Sequence, residues 1–157
     1  MLNLRPEEGK ELKDILTDIA NESKSKIVLL INKSGQLIGR SDTPAFSSDD
    51  VTFASLTAGN VAASEALSKL LGSEHLNHMF TETEEEGIYM ILITTKHILV
   101  SIFDKSLTNL GIVRVKIKKH YPRLVELIKR IEERAGKEAE VPTDFDIESI
   151  DIDTLFE

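Results

Sequence analysis

The side chains best suited to metal binding are His75 and His78, which flank Leu76-Asn77. Two imidazoles share an ion when both project to one side, as they do four apart on a helix. The stretch "LNHMFTET" (76–83) reads as a strand, in which positions three apart face opposite sides. No cysteine is present to complete a ligand set. The same absence removes disulfides and thiolate nucleophiles, and no metal is expected. The acids Glu82, Glu84, Glu85 and Glu86 read as a solvated turn rather than as a general acid and base. Neither Ser34-Gly35 nor Gly111 is followed by the Gly-Lys-Ser/Thr of a phosphate-cradling loop. No Gly-x-Ser-x-Gly elbow occurs. A single arginine can act as a finger in phosphoryl transfer, but nothing local singles out Arg40 or Arg114, which read as surface charges. The sequence therefore offers no catalytic residues and calls for no cofactor.

With catalysis set aside, composition bounds the remaining classes. The chain has 157 residues, 41% hydrophobic and 29% charged, enough for one domain with its own core. The expected division is a domain over 1–136 and an acidic C-terminal tail over 137–157. Between Glu138 and Glu157 there are eight acids and no Lys or Arg. Of the 27 acids that leaves 19 against 19 bases, so the body is near neutral and the tail carries the net charge of -8. Such a tail repels phosphate backbones, which argues against nucleic acid. The tail reads as mobile, yet it keeps Phe145, Ile147, Ile150, Ile152, Leu155 and Phe156, side chains suited to docking on the body or on a partner. The N-terminal run has no apolar core of a signal peptide, and no stretch approaches the ~18 apolar residues of a membrane span. The expected location is cytoplasmic, without membrane insertion.

Hydrophobic periodicity supplies the elements. "PEEGKELKDILTDIANE" (6–22) predicts a helix, with Pro6 in the first turn, Glu7 and Glu8 at the positive end of the dipole, and Leu12, Ile15, Leu16 and Ile19 on one face. Ile27 to Ile31 predict a buried strand, Ser34-Gly35 a turn and Leu37-Ile38 the return strand. Ser48 or Asp49 is the expected cap of a second helix that ends at Gly72. Three more strands follow: 76–83, then "GIYMILITT" and "HILVSIFD". A long helix closes the domain, its start obscured by the alternation of Ile112, Val113, Val115 and Ile117. Pro122 predicts a kink or the helix start, and Gly136 the stop. The order is α-β-β-α-β-β-β-α, an α/β (α+β) class.

The second helix, "VTFASLTAGNVAASEALSKLLG" (51–72), has two apolar stripes of unequal size. Phe53, Leu56, Asn60, Ala63, Leu67 and Leu70 share one face, which is expected to pack on the sheet and to bury Asn60 as a polar anchor. Ser55, Ala58, Gly59, Ala62 and Ala66 share another, which either packs within the chain or lets a partner backbone come close. Gly59 favours the second use, because a helix-interior glycine costs about 1 kcal/mol against alanine.

The stretches "TAGNVAASEALSKLLG" (57–72) and "GIYMILITTKHILVSIFDKSLTNLGIVRVKIKK" (87–119) resemble roadblock/dynein-light-chain domains, the likeness running from about Ser23 to Arg134. Its most telling pieces are Ala58-Gly59-Asn60 with Ala62-Ala63, Leu70-Leu71-Gly72, Phe103-Asp104 and Leu110-Gly111. The resemblance implies a five-stranded, mostly antiparallel sheet with helices on both faces. It also implies a homodimer paired through central strands and helices, with Asn60, Met79 and Phe80 at the seam. On the paired helices a small Ras-like GTPase is expected to sit, touching Ser55, Ala58, Gly59, Ala62, Ala66 and Lys69. The bacterial subtype it most resembles includes activators that reposition the GTPase's own switch residues without an arginine finger. The expected function is such a polarity-type regulator. The alternative is a roadblock-type adaptor that binds a GTPase or motor complex and leaves hydrolysis unchanged; a small-molecule sensor is a third class, for which no cavity signal exists. With no phosphate loop, the purified chain should neither bind nor hydrolyse GTP. Equilibrium dialysis with labelled nucleotide checks this, and tight binding would overturn it.

Overall fold

A computed structural model describes residues 3–44 and 49–139. Among them are three helices and five strands in the expected order. Helix α1, Pro6–Ser23, buries Leu12, Ile15, Leu16 and Ile19, the four residues whose spacing defines its apolar face. Strands β1, Ile27–Asn32, and β2, Leu37–Arg40, form an antiparallel hairpin. Helix α2, Asp50–Leu70, is capped by Asp49, whose carboxylate accepts from the Val51 and Thr52 amides; Ser48 lies outside the described residues. Gly72, with φ +82°, ends it: the Gly72 amide bonds the Lys69 carbonyl and the Ser73 amide the Ser68 carbonyl, the left-handed closure that glycine favours. Strands β3, His78–Glu82, β4, Glu86–Leu92, and β5, His97–Asp104, then run as a meander into helix α3, Leu110–Ala139.

The strands lie in the order β2-β1-β5-β4-β3, every neighbouring pair antiparallel. Strands β1 and β5 sit at the centre and are buried along nearly their whole length, as strands covered on both faces must be. Helices α1 and α3 cover one face, packing on Val28, Leu30, Leu99 and Phe103. Helix α2 covers the other, over Ile27, Leu29, Ile31 and Val100. Strand β3 is an edge, which explains the weak alternation of 76–83: only Met79 and Phe80 of its five residues are even half-buried.

Helix α3 departs from expectation at its glycine, and of the two readings of its proline it excludes the helix start. It starts at Leu110 and passes through Pro122, so Pro122 marks neither start nor end. The alternating segment is helical, with Val113 and Ile117 buried one turn apart and Val115 exposed. An interior proline costs about 3 kcal/mol in lost hydrogen bonding and ring clash. Contacts with α1 on both sides of it offset that cost. Glu22 receives Lys119 and His120, Asp18 receives Arg123 at 3.2 Å, Glu11 receives Arg130 at 2.6 Å and Glu8 receives Arg134 at 2.7 Å. Beneath these pairs Leu124, Leu127, Ile128 and Ile131 are buried. Gly136 does not stop the helix. Its φ is not positive, and Glu138, bound by Arg134 at 2.8 Å and by Arg5, holds the extra turn. The first residues of the expected tail, 137–139, are thus helical, and 140–157 lie outside the described residues. No helix among the described residues is long and apolar enough to cross a membrane.

The Glu22 carboxyl is held down to about 2 by hydrogen bonds from Lys119 and His120. A depressed carboxyl stabilises the fold above its unfolded value and loses that contribution as pH falls through the folded one. Glu22→Gln should therefore melt below the parent at pH 7, the gap closing between about 4.5 and 2. Melting curves across that range check it; a constant gap would mean that packing, not charge, is at stake.

Candidate functional site

Helix α2 meets its sheet through Ala54, Thr57, Ala58 and Val61, the buried residues of its length. These follow the i, i+3, i+4, i+7 pattern of one helix face, but none is larger than valine. The seat is low because the β1–β2 turn runs beneath it. Gly35, at φ +93°, would carry a Cβ 3.3 Å from the Ser55 Cα and 3.7 Å from the Ala58 Cβ. Two ion pairs tie α2 to the same hairpin: Arg40 of β2 with Asp50 in the first turn, and Lys33 with Glu65 at 2.9 Å midway along. At its start, hydrogen bonds from the Thr52 hydroxyl and amide hold the Asp49 carboxyl below its ordinary range.

This geometry overturns the expected role of the leucine stripe and takes Ala58 out of the small one. The leucine stripe does not pack on the sheet. Leu56, Leu67 and Leu70 are 69%, 61% and 84% exposed, joined by Val51 and Leu71. Asn60 and Ala63 are exposed with them, so Asn60 is no buried anchor; only Phe53 is half-buried, against the core under α2. Ala58, assigned to a partner from the sequence, is buried against its own hairpin. The backbone that approaches the small residues at Ser55 and Ala58 is the chain's own turn. The other small-face residues, Ser55, Gly59, Ala62, Ala66 and Lys69, are exposed, and a Cβ added at Gly59 would meet nothing within 4 Å. The wheel could not tell the faces apart because both repeat with the helical period; the clue was the Ser34-Gly35 turn, which needs a low neighbour.

The residues expected at a seam divide as well. Met79 lies on the α2 side of β3, packed at the margin of that core. Phe80 points the other way and stacks on Phe103, ring centroids 6.0 Å apart. Its side chain serves the core against α3, so Phe80 can join an interface only through its backbone at the sheet edge. His78 sets its ring edge-on to Tyr89 at 5.7 Å. No group of three metal-ligating side chains occurs among the described residues.

The seat makes a contrast that melting temperatures can read. Ala58→Leu should lower stability by about 1–3 kcal/mol through overpacking, whereas Gly59→Ala should raise it by up to about 1 kcal/mol. A Gly59→Ala variant that melts lower would show that something packs on the glycine in solution. Ala62→Arg, Ala63→Arg and Ala66→Arg should all fold, because each side chain has water to enter.

A sequence model of the Roadblock/LC7 domain matches residues 11–103. Among solved structures, MglB of Myxococcus xanthus is 34% identical, aligned over 76% of this chain and 96% of its own with a TM-score of 0.71. The gliding protein MglB of Thermus thermophilus is 26% identical over 82% of this chain and 96% of its own, with a TM-score of 0.74. An MglB with a tetrameric arrangement is 25% identical over 83% and 96%, with a TM-score of 0.75. No curated protein sequence gives a match. Profilin IA of Acanthamoeba castellanii, 12% identical at a TM-score of 0.52, shares the fold alone. The strand order, the helices on both faces and the match across α1 to β5 agree: this chain belongs to the Roadblock/LC7 domain family.

Proposed function

We propose that the chain regulates a small Ras-like GTPase of the MglA kind, working as a homodimer and accelerating GTP hydrolysis without an active site of its own. The observation that carries this reading is the outward face of α2 in a chain similar to MglB. Leu56, Leu67 and Leu70 on one helix form the kind of exposed apolar surface that marks an association site. Strand β3 adds an unpaired edge beside it, and edges pair with other strands unless covered. A two-fold axis satisfies both at once, matching helix with helix and edge with edge. Asn60 and Met79 then lie at the seam with the β3 backbone of Phe80. The paired helices offer the GTPase Ser55, Gly59, Ala62, Ala66 and Lys69.

Acceleration without a finger fits the arginines. Arg5, Arg40, Arg123, Arg130 and Arg134 are each engaged by a carboxylate of the same chain, and Arg114 lies against the Tyr89 hydroxyl. A regulator with no arginine to insert acts by holding the GTPase's switch segments where their own side chains meet the phosphate. The likeness to a gliding protein fits a role in cell polarity or gliding motility, and the setting that follows is cytoplasmic.

Single-turnover GTP hydrolysis by an MglA-type GTPase, with and without this chain, tests the reading. The rate should rise with chain concentration, and sedimentation should give twice 17.5 kDa. Leu67→Asp should release monomers and abolish the acceleration, while Ala62→Arg should keep the dimer and lose the GTPase. Binding without a change of rate would make the chain an adaptor; a monomer at micromolar concentration would remove the platform.

A further inference from the structure

On the sheet face away from α2, a groove of about 390 Å³ lies between β4 and the N-terminal half of α3. Tyr89, Ile91 and Ile117 form its floor, Tyr121 closes one end, and Arg114 and Lys118 stand on its rim. No acid lines it. The α3 side is unusually apolar for a surface, with Val115 62% and Ile112 42% exposed. Because the groove faces away from α2, pairing through α2 leaves it open. Its occupant must be apolar along one side and acidic along the other.

We propose that this groove is the docking site of the chain's own C-terminal segment, with Ile150 and Ile152 in the groove and Asp151 and Asp153 at its basic rim. Residues 140–157 contain seven acids and no base, the charge complement of Arg114 and Lys118. The α2 leucine stripe is also apolar, but Lys69 is the one cation that helix carries, and Lys33 and Arg40 beside it are engaged by Glu65 and Asp50, so charge favours the groove. In an extended chain, alternate residues face opposite sides, which turns Ile150 and Ile152 one way and Asp151 and Asp153 the other. Length agrees with this register. At 1.5 Å per helical residue, Tyr121 lies about 27 Å back along α3 from Ala139, and Gly111 about 42 Å. At ~3.3 Å per extended residue, a segment that reverses after Ala139 at a cost of about three residues brings Ile150 to Tyr121 and Leu155 to Gly111. The span from Ile150 to Leu155, about 17 Å, matches the roughly 15 Å that α3 offers between those two residues.

The chain has no cysteine, so an introduced pair reports without background. In the full-length chain, Val115→Cys with Ile152→Cys is compared under mild oxidation with Ala62→Cys plus Ile152→Cys, which probes the opposite face. Val115 and Ala62 are both exposed, so neither variant disturbs the core. The Val115 pair should close within one chain roughly tenfold faster, as a seated segment has a higher effective concentration than a tethered free one. Adding Lys118→Glu, or salt near 1 M where screening acts within about 3 Å, should slow it towards the Ala62 rate. Equal rates for the two pairs would overturn the proposal. A Val115 disulfide that joins two chains rather than closing one would equally overturn it, by assigning the groove to a second copy's segment.

Discussion

A residue with a side chain at position 35 would press its Cβ to within 3.3 Å of the Ser55 Cα. That clearance governs how α2 sits. A helix that must lie this close to a hairpin turn can turn only alanine, threonine and valine inward, and Ala54, Thr57, Ala58 and Val61 are what it turns. Of the larger apolar side chains of the helix only Phe53, in its first turn, reaches that core in part. Leu56, Leu67 and Leu70 face out because the small residues have taken the inside, and the chain presents on its surface the residues that ordinarily build a core. The packing thus leaves the leucines to be covered, if at all, by something other than their own sheet.

The opposite layer is made differently. Helices α1 and α3 bury isoleucine and leucine between themselves and the sheet and rim that contact with carboxylates on α1 and cations on α3. Exposed pairs of this kind contribute little singly. Arg134 with Glu8 is the most enclosed of them, both side chains under one-fifth exposed. Their arrangement gives α3 one register against α1 and carries it past a proline. One side of the sheet is therefore closed by the chain itself, save for the groove beside β4, and the other carries a helix with exposed leucines.

Much of this was legible in the residues. The spacing of Leu12, Ile15, Leu16 and Ile19 yields α1 with its buried face, and "HILVSIFD" coincides with β5 because a central strand is apolar from end to end. The antiparallel sheet with helices on both faces followed from family likeness and agrees with the pairings. The faces of α2 were misread because residue size says how much surface a stripe can bury, not which way it points; that depends on how close a distant turn comes. Gly136 looked like a stop because glycine is a good terminator, yet the ion pairs of Glu138 lie across the fold and have no local signature. Phe80 was set at a seam beside Met79, although neighbours on a strand face opposite sides and only one of the two can share the α2 face.

The strand order has a consequence for how the molecule is made. Strand β1 pairs with β2 on one side and with β5 on the other, Ile27 opposite Ile102 and Asn32 opposite His97. The first partner is a hairpin neighbour, but the second is among the last elements to be synthesised. Until residues 97–104 emerge, a nascent chain holds a hairpin whose inner edge is bare: α1 and α2 can cover the faces of the Ile27 to Ile31 run, but its ladder partner on that edge is missing. Closing the sheet must then overcome the entropy of a long loop, which makes translation of β5 the event that covers the inner edge of β1 and shortens the time that edge is open to mispairing.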